Sequence, residues 1–297
     1  MSTTHTPLRY PGGKSGLTDF LSRIACSGKM RYNYYAEPYC GGAGAAIGLL
    51  VGGAVSEVFL NDLDRSIYCF WRAVLNYTEE LCERIDGARL SVEEWARQRQ
   101  IWRKSQRHSV LDVGFACFFL NRVNRSGVLS AGLIGGKKQD GKWLMDARFN
   151  RKHLIAKIRR IGQYREQIHI SNLDAELFLK ETLARLERPI LVYLDPPYFA
   201  KGQCLYENHY THEDHKRLSE YLRSGVLAHW LISYDVTPAI TDLYKGLRRL
   251  TYRLNYSAAR RYAGRENAFF SPDLWLPNEM DPFLRSRDRI WSGCFRR

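Results

Sequence analysis

Residues 195–198, Asp-Pro-Pro-Tyr, place groups that could activate a weakly nucleophilic amine directly after an apolar run at 190–194. The lone pair of an amine on an aromatic base is delocalised into the ring, and acceptors on both N–H bonds would localise it on nitrogen. Asp195 offers a carboxylate, which also stabilises the positive charge that develops when the nitrogen attacks. Pro196 offers a carbonyl that the restricted φ of proline holds in place. The alternative is that the two prolines only end the strand, because proline has no N–H to donate to the hydrogen bonds between strands.

Tyr198 ends the segment with a ring that can stack on the face of a base, which contributes roughly 1–3 kcal/mol in single-strand binders. Pro197 restricts the turn between the two acceptors and this ring. The chemistry requires a base outside the helix, because the reacting atom cannot be reached inside a duplex. The segment therefore predicts a site for an extruded base, with Asp195, Pro196, Pro197 and Tyr198 as its catalytic residues.

A glycine-rich turn, Glu-Pro-Tyr-Cys-Gly-Gly-Ala-Gly at 37–44, lies between a predicted strand and a predicted helix. Glycines let a ligand approach the backbone, and the N–H groups at a helix N-terminus bind polar ligands. Asp62 ends the next predicted strand, twenty residues after Gly42, a spacing that suits a carboxylate bonded to ribose hydroxyls. A dinucleotide-dependent dehydrogenase has the same geometry, but the pattern G-x-G-x-x-G is absent. A tight connection without a ligand also stays open at this point.

The elements that must position these groups alternate along the chain as strand, turn, helix and strand, which predicts an α/β fold with a Rossmann-like, doubly wound mixed sheet. Strand-like segments return after residue 163, and a helix is predicted from residue 211, where Thr211 and Asp214 fit a capping box. Between them the pattern is helical and basic. We therefore predict a catalytic domain at 1–75 and 161–297, with a mainly helical target-recognition domain inserted at 76–160.

Charge is concentrated in one segment of the chain. Residues 97–165 contain 17 Lys and Arg but only 3 Asp and Glu, so this segment accounts for the whole net charge of +14. The rest of the chain has 28 basic and 28 acidic residues. Because self-repulsion of this size is relieved by a polyanion, the insert predicts nucleic-acid binding.

Composition excludes several other classes of protein. No apolar run approaches the ~20 residues of a membrane span, and the first residues lack the apolar region of a secretory signal. The seven cysteines show no C-x-x-C spacing, which favours reduced thiols and a cytosolic protein. Three histidines stand at 209, 212 and 215, but we predict a polar loop that leads into a helix there, and no metal.

Taken in order, the motifs resemble those of the Dam-type, class α DNA adenine-N6 methyltransferases, which use S-adenosyl-L-methionine. The resembling segments are RYPGGK at 9–14, EPYCGGAG at 37–44, NDLD at 61–64, FFLNRVNRSG at 118–127, ISNLDAELFL at 170–179 and LDPPY at 194–198. Two departures stand out, since Ala43 occupies a position where relatives have glycine and Arg125 one where some have an aromatic wedge. The resemblance covers nearly the whole chain and implies the fold, the cofactor and the reaction of that family.

The resemblance also implies the cofactor site. By this resemblance, Lys14 is expected to hold the methionine carboxylate, Leu63 to lie against the adenine ring of the cofactor, and Asp174 to contact that adenine. The implied cofactor-binding residues are Tyr10, Lys14, Glu37, Pro38, Tyr39, Gly41, Gly42, Asp62, Leu63, Asp174 and Asp195.

The predicted DNA-binding residues have different tasks. Helical arginines and lysines are expected to clamp phosphates, whereas side chains in or beside a hairpin that follows the LNR segment are expected to read base edges. A further basic group falls in a loop predicted at 257–268. The full set is Asn121, Arg122, Asn124, Arg125, Ser130, Lys137, Lys138, Arg151, Lys152, Arg159, Arg160, Arg260 and Arg261.

The resulting prediction is a cytoplasmic, bacterial or phage-encoded enzyme that methylates N6 of a flipped-out adenine at specific sites in double-stranded DNA. An N4-cytosine DNA methyltransferase, an RNA adenine methyltransferase and a catalytically silent DNA-binding protein are the alternatives. A restriction endonuclease partner, an orphan role and a homodimer are all compatible with this prediction.

Overall fold

The computed structural model describes residues 4–9, 13–27, 30–186, 189–199, 210–256 and 262–277. In these residues an α/β fold is built around one mixed sheet. None of the helices in the described ranges is both long enough and apolar enough to cross a membrane.

The sheet has strands β1 (Tyr34–Glu37), β2 (Glu57–Asn61), β3 (Ile168–Ser171), β4 (Ile190–Leu194), β5 (Trp230–Asp235), β6 (Arg248–Tyr256) and β7 (Tyr262–Phe270). Their order within the described chain is β3-β2-β1-β4-β5-β7-β6. Strands β1 to β5 run parallel, whereas β7 runs antiparallel to both β5 and β6. The predicted doubly wound mixed sheet is therefore confirmed.

The strand order reverses at β1, which pairs with β2 on one side and with β4 on the other. Ala36 of β1 is level with Phe59 of β2 and with Val192 of β4. Ligands of open α/β sheets bind beyond the carboxyl ends of the strands at such a reversal. The loops after β1 and β4, at 38–43 and 195–199, leave the sheet at this point, so the topology brings the glycine-rich turn and Asp-Pro-Pro-Tyr together.

The helices are α1 (Thr18–Ser27), α2 (Gly44–Val51), α3 (Arg65–Asn76), α4 (Thr78–Asp86), α5 (Val92–Arg103), α6 (Val110–Val123), α7 (Arg151–Gly162), α8 (Ala175–Leu177), α9 (His212–Arg223) and α10 (Pro238–Leu243). Asp64 caps α3 by accepting a hydrogen bond from Ser66 N, and Thr211 and Asp214 form the predicted capping box of α9. Helices α1 and α2 contribute to one apolar cluster of the sheet, and α9 and α10 contribute to the other. The two pairs of helices therefore cover opposite faces of the sheet.

Helix α6 connects the basic insert to the sheet domain. Most of its residues are buried, and it crosses α3 at Gly114, where a Cβ atom would lie 2.7 Å from the carbonyl oxygen of Cys69. One apolar cluster therefore includes Trp71 of α3, Phe118 of α6 and Ile158 of α7. The insert packs on the sheet domain through this shared core, and the domain boundaries at 75, 76, 160 and 161 stay a prediction.

The predicted loop at 257–268 is wrong from residue 262 onward, because β7 begins there and lies between β5 and β6. The polar residues Glu266 and Asn267 concealed this central strand in the sequence, yet both are buried. Residues 257–261 lie outside the described ranges.

Candidate active site

The carboxylate of Asp195 lies at the carboxyl end of β4 and is held through one oxygen. Lys14 Nζ is 3.1 Å from Asp195 Oδ1, and Ser233 Oγ donates to the same oxygen at 3.0 Å. The hydroxyl of Tyr193 lies 2.7 Å from Ser233 Oγ. Because Ser233 gives its only proton to Asp195, Tyr193 must donate to Ser233. Burial raises the pKa of Asp195 to about 6, against the opposing charge of Lys14.

Lys14 is the centre of a buried polar cluster around this carboxylate. Its ammonium donates to the hydroxyl of Tyr198 at 2.9 Å and to Glu266 Oε1 at 3.1 Å, in addition to its contact with Asp195. Burial alone would lower the pKa of Lys14, but Asp195 and Glu266 raise it above its ordinary value. Lys14 was predicted to bind the methionine carboxylate, whereas its ammonium here contacts the carboxylates of Asp195 and Glu266.

Glu266 is a member of the cluster that the sequence did not reveal. It is fully buried in β7 and accepts hydrogen bonds from Lys14, from Tyr198 and, at 2.7 Å, from the hydroxyl of Tyr252. The sheet register places Glu266 beside Asp235 of β5 and Tyr252 of β6. Its only signal in the sequence is an acid between Arg265 and Asn267 in an otherwise small and aromatic run, and the predicted loop hid that signal.

Pro196, Pro197 and Tyr198 differ in their access to the cavity next to Asp195. Asp195 and Pro197 line it, whereas Pro196 is buried. Tyr198 is buried as well, is absent from the cavity wall, and has its hydroxyl bonded to Lys14 and Glu266. The predicted stacking of Tyr198 on a base is therefore not what this conformation presents, and its hydroxyl belongs to the polar cluster instead.

The cavity has a volume of about 630 Å³ and extends from Asp195 along the glycine-rich turn. This volume lies within the range of small-molecule sites. Most of the predicted cofactor-binding residues line it, namely Lys14, Glu37, Pro38, Tyr39, Gly41, Gly42, Asp62, Leu63, Asp174 and Asp195. Tyr10 lies outside the described residues.

The far end of the cavity has the groups that a nucleoside requires. Asp62 accepts hydrogen bonds from Gly41 N at 2.8 Å and from Asp64 N at 3.0 Å, which holds its carboxylate at the cavity wall. Burial and the charge of Asp64 raise the pKa of Asp62 to about 7. Leu63 beside it is 47% exposed and offers an apolar surface to the cavity. Asp174, which caps α8, completes this end. An acid, an apolar side chain and a glycine turn thus fit a cofactor with a ribose and a base.

Glu37 and Tyr39 organise the turn itself. Glu37 Oε1 accepts from the hydroxyl of Tyr35 at 2.9 Å and from Ala46 N at 3.0 Å, which joins the end of β1 to the first turn of α2. Burial raises the pKa of Glu37 to about 8. Tyr39 shares a 2.7 Å hydrogen bond between hydroxyls with Tyr210, and both rings line the cavity.

Gly44 permits the close approach that positions Lys14. A Cβ atom on Gly44 would lie 2.2 Å from Ser15 Oγ, so the short 3-10 helix Lys14–Leu17 packs directly on the start of α2. The residue before it, Ala43, has φ 44° and ψ 35° in the left-handed region, which is strained for any residue with a Cβ. The alanine that departs from the family pattern thus occupies a position suited to glycine.

We expect Ala43→Gly to raise the free energy of unfolding by roughly 0.5–1 kcal/mol, because glycine adopts the left-handed conformation without steric cost. Urea denaturation followed by circular dichroism would measure the change. Ala45→Gly is the matched control inside α2, and it should lower stability by about 0.5–1 kcal/mol or more. A loss of stability in Ala43→Gly would show that the strain is not significant.

Two of the predicted DNA contacts, Asn121 and Asn124, bond within the protein in this structure. Asn121 is buried and bonds with the backbone N and O of Arg9 and with the carbonyl of Gly127. Asn124 is buried too, accepting from Trp95 Nε1 and donating to two backbone carbonyls. Both amides donate and accept within the protein, and their reading of bases stays a prediction. The predicted hairpin is reduced to one antiparallel bridge between Asn124 and Leu133.

Three predicted arginines are already engaged within the protein. Arg122 donates to the backbone carbonyls of Arg148 and Pro7. Arg151 donates to the carbonyl of Ala88, and Arg159 forms a bidentate ion pair with Glu79. The remaining predicted residues of the described chain are exposed, namely Arg125, Ser130, Lys137, Lys138, Lys152 and Arg160. Arg260 and Arg261 lie outside the described residues.

His215 is a core residue of the described structure. It is fully buried, and its Nδ1 lies 2.9 Å from the hydroxyl of Tyr234. Burial lowers its pKa to about 4, which keeps the ring neutral. Within the described ranges, no group of three or more His, Cys, Asp and Glu residues could hold a metal ion. His209 lies outside those ranges.

Comparison with known proteins gives one family. A family model described as D12 class N6 adenine-specific DNA methyltransferase matches residues 10–260, which include every motif described above from Tyr10 to Tyr198. No curated protein matches the sequence. Among solved structures, an rRNA methyltransferase, AviRa from Streptomyces viridochromogenes, is 14% identical over 86% of this chain and 82% of its own, with a TM-score of 0.37.

Proposed function

Since the chain belongs to the D12 class of N6 adenine-specific DNA methyltransferases, we propose that its substrate adenine is extruded from duplex DNA and enters the cavity at Asp195. The single observation that carries the proposal is the Asp195 carboxylate, fixed through Oδ1 at the edge of a cavity that also suits a nucleoside cofactor. The enzyme uses S-adenosyl-L-methionine, which supplies the methyl group on a sulfonium.

Asp195 accepts a hydrogen bond from the adenine N6 amine in this proposal. Both contacts of Asp195 within the described residues fall on Oδ1, so Oδ2 is the oxygen for the substrate. The negative charge would also stabilise the cation that forms on nitrogen as the N–C bond forms and the C–S bond of the sulfonium breaks to leave a thioether. Loss of one N6 proton to water would then give the neutral methylated base. The second acceptor in this proposal is the carbonyl of Pro196, whose backbone the proline ring restricts. Because Pro196 is buried in this conformation, its carbonyl must become accessible when the base binds.

Lys14, Glu266, Tyr198 and Ser233 act as positioning residues for this acid. Lys14 carries a positive charge that keeps Asp195 ionised, while Glu266 balances that charge on the side away from the substrate. Ser233 and Lys14 together restrict the rotation of the carboxylate, since both are bonded to the same oxygen. A fixed orientation of this kind lowers the reorganisation needed in the transition state.

The other end of the cavity holds the nucleoside part of the cofactor. Asp62 would bond the ribose hydroxyls, Leu63 would lie against the adenine ring of the cofactor, and Asp174 would contact its amine. Glu37, Pro38, Tyr39, Gly41 and Gly42 form the wall that bounds this end. Since the ammonium of Lys14 contacts two carboxylates, its effect on cofactor affinity should be smaller than that of Asp62.

We expect Asp62→Ala to weaken the binding of S-adenosyl-L-methionine by roughly 1–3 kcal/mol, the cost of leaving polar groups unpaired. Isothermal titration calorimetry in the absence of DNA would measure it. Asp146→Ala removes an exposed acid outside the cavity and should leave the affinity unchanged. Unchanged affinity in Asp62→Ala would place the ribose elsewhere.

DNA is the macromolecular substrate, and we propose that the exposed basic residues of the insert bind its backbone. Lys152 and Arg160 lie exposed on α7, and Lys137 and Lys138 lie exposed on the glycine-rich loop that precedes it. Arg125 keeps the base-reading role predicted for it. A restriction endonuclease partner, an orphan role or a second copy of the chain is compatible with this proposal.

Transfer of isotopically labelled methyl groups to unmethylated duplex DNA tests the proposed function. Labelled duplex is expected, with none in single-stranded RNA of matched length. Labelled RNA with unlabelled duplex would contradict the proposal.

A further inference from the structure

The segment 4–9 crosses the basic insert on its way to Lys14, and cationic side chains hold it there. Lys157 Nζ of α7 donates to the carbonyl of Thr6 at 3.3 Å, and Arg122 of α6 donates to the carbonyl of Pro7 at the same distance. Arg9 at the end of the segment donates in turn to the carbonyl of Asn124 at 3.3 Å. These contacts explain why hydrogen-bond donors occur at this junction.

The contacts do not explain why the donors are charged. Arg9, Arg122, Arg148 and Lys157, here termed the junction cluster, form no ion pair with an acid of the described residues. Burial and then the charge of Arg148 lower the pKa of Arg9, and burial together with Arg9 and Arg148 lowers the pKa of Arg122 to about 10. Burial and the charge of Arg122 lower the pKa of Lys157. A neutral amide could donate to the same carbonyls without this repulsion.

The junction cluster lies on the wall of the catalytic cavity. Arg9, Arg122 and Lys157 line the same cavity as Asp195, together with the neighbouring Ser126 and His153. Arg148 is exposed, so the positive charge continues from the cavity wall onto the surface of the insert. An anion that extended from the solvent into the cavity would contact the cluster along its whole length.

We propose that the junction cluster binds the phosphates of the DNA strand that carries the target adenine, where that strand delivers the base to the cavity. This inference rests on the proposed extrusion of the adenine. Four cations that continue onto the surface match a chain of phosphodiesters better than the single carboxylate of the cofactor. Extrusion turns one nucleotide out of the helix, and phosphates beside it must then lie near the cavity entrance. Charged donors to phosphate also position a nucleic acid without reading its sequence.

The proposal is tested with Lys157→Gln and Arg9→Gln, which keep a hydrogen-bond donor but remove the charge. Each variant should reduce the dependence of log affinity on log salt by about one for duplex DNA, and lower the affinity by about 5- to 10-fold at 0.1 M salt. The affinity for S-adenosyl-L-methionine alone should stay within about twofold of the wild-type value. Lys157→Gln should also keep or raise the melting temperature, because it removes a repulsive charge.

Two control variants define the effect. Lys157→Arg retains the charge and should retain the salt dependence, whereas Lys245→Gln removes an exposed charge outside the cavity and should change neither binding nor melting. Weaker binding of the cofactor with unchanged DNA binding would overturn the proposal. The junction cluster would then bind the methionine carboxylate of the cofactor. A lower melting temperature with unchanged DNA binding would overturn it in favour of a purely structural role. Methylation by the wild-type enzyme, measured in parallel, reports on the proposed function separately.

Discussion

Asp195→Ala should lower the turnover of duplex methylation by at least about 100-fold, the scale expected when one group that stabilises developing charge is removed. In the proposed mechanism the acid supplies both an acceptor for the N6 amine and the negative charge that opposes the forming cation. Asp195→Asn keeps an acceptor but loses the charge, so its turnover should lie between that of the wild type and that of the alanine variant. Single-turnover assays with saturating cofactor and DNA would measure the chemical step.

Affinity measurements distinguish a loss of catalysis from a loss of structure. The affinity of Asp195→Ala for duplex DNA should remain close to that of the wild type, and Asp146→Ala should be fully active. Near-normal turnover in Asp195→Ala would end the proposed mechanism. Loss of DNA affinity would instead indicate a disrupted structure, and the more conservative Asp195→Asn would then separate a structural defect from a catalytic one.

Lys14→Met should lower the free energy of unfolding by about 3–5 kcal/mol, the usual cost of removing one partner from a buried ion pair. The variant leaves the carboxylates of Asp195 and Glu266 close together without the cation between them. Chemical denaturation at neutral pH would measure the loss. A stability equal to that of the wild type would mean that the contacts of Lys14 have no net energetic value.

The acid limb of the pH profile identifies what Lys14 does for the reaction. In the proposed mechanism the ionised form of Asp195 is the active one, so turnover should fall as the pH falls through the pKa of Asp195, which is about 6. Lys14 lowers this pKa and Glu266 raises it. The limb should therefore move to higher pH in Lys14→Met and to lower pH in the matched variant Glu266→Gln. If the acid limb of the turnover profile kept the same pH in both variants, the proposed electrostatic effect of Lys14 and Glu266 on Asp195 would be excluded.

The strands β1 to β5 and the two loops at the reversal point could be predicted from local sequence, because each depends on neighbouring residues. An apolar strand followed by Asp195 and Pro196, or a glycine turn followed by an acid such as Asp62, is visible within a few positions. The capping box of α9 is local in the same sense, and it was confirmed.

The polar cluster could not be predicted in this way, because it depends on contacts between distant segments. Lys14 and Glu266 are 252 positions apart and meet only because β7 enters the sheet beside β5. The same reason explains Asn121, whose partner Arg9 is 112 positions away. A polar residue that looks available for DNA can thus be bonded within the protein, and only the fold reveals it.

The most direct test is to digest duplex DNA after incubation with the enzyme and S-adenosyl-L-methionine, and to identify the modified nucleosides by mass spectrometry. We predict N6-methyladenine from the wild type, and at most about one-hundredth as much from Asp195→Ala in the same time. Single-molecule sequencing of the same duplex would then report the context of the modified adenine. N4-methylcytosine as the product, or equal N6-methyladenine from both proteins, would contradict the account.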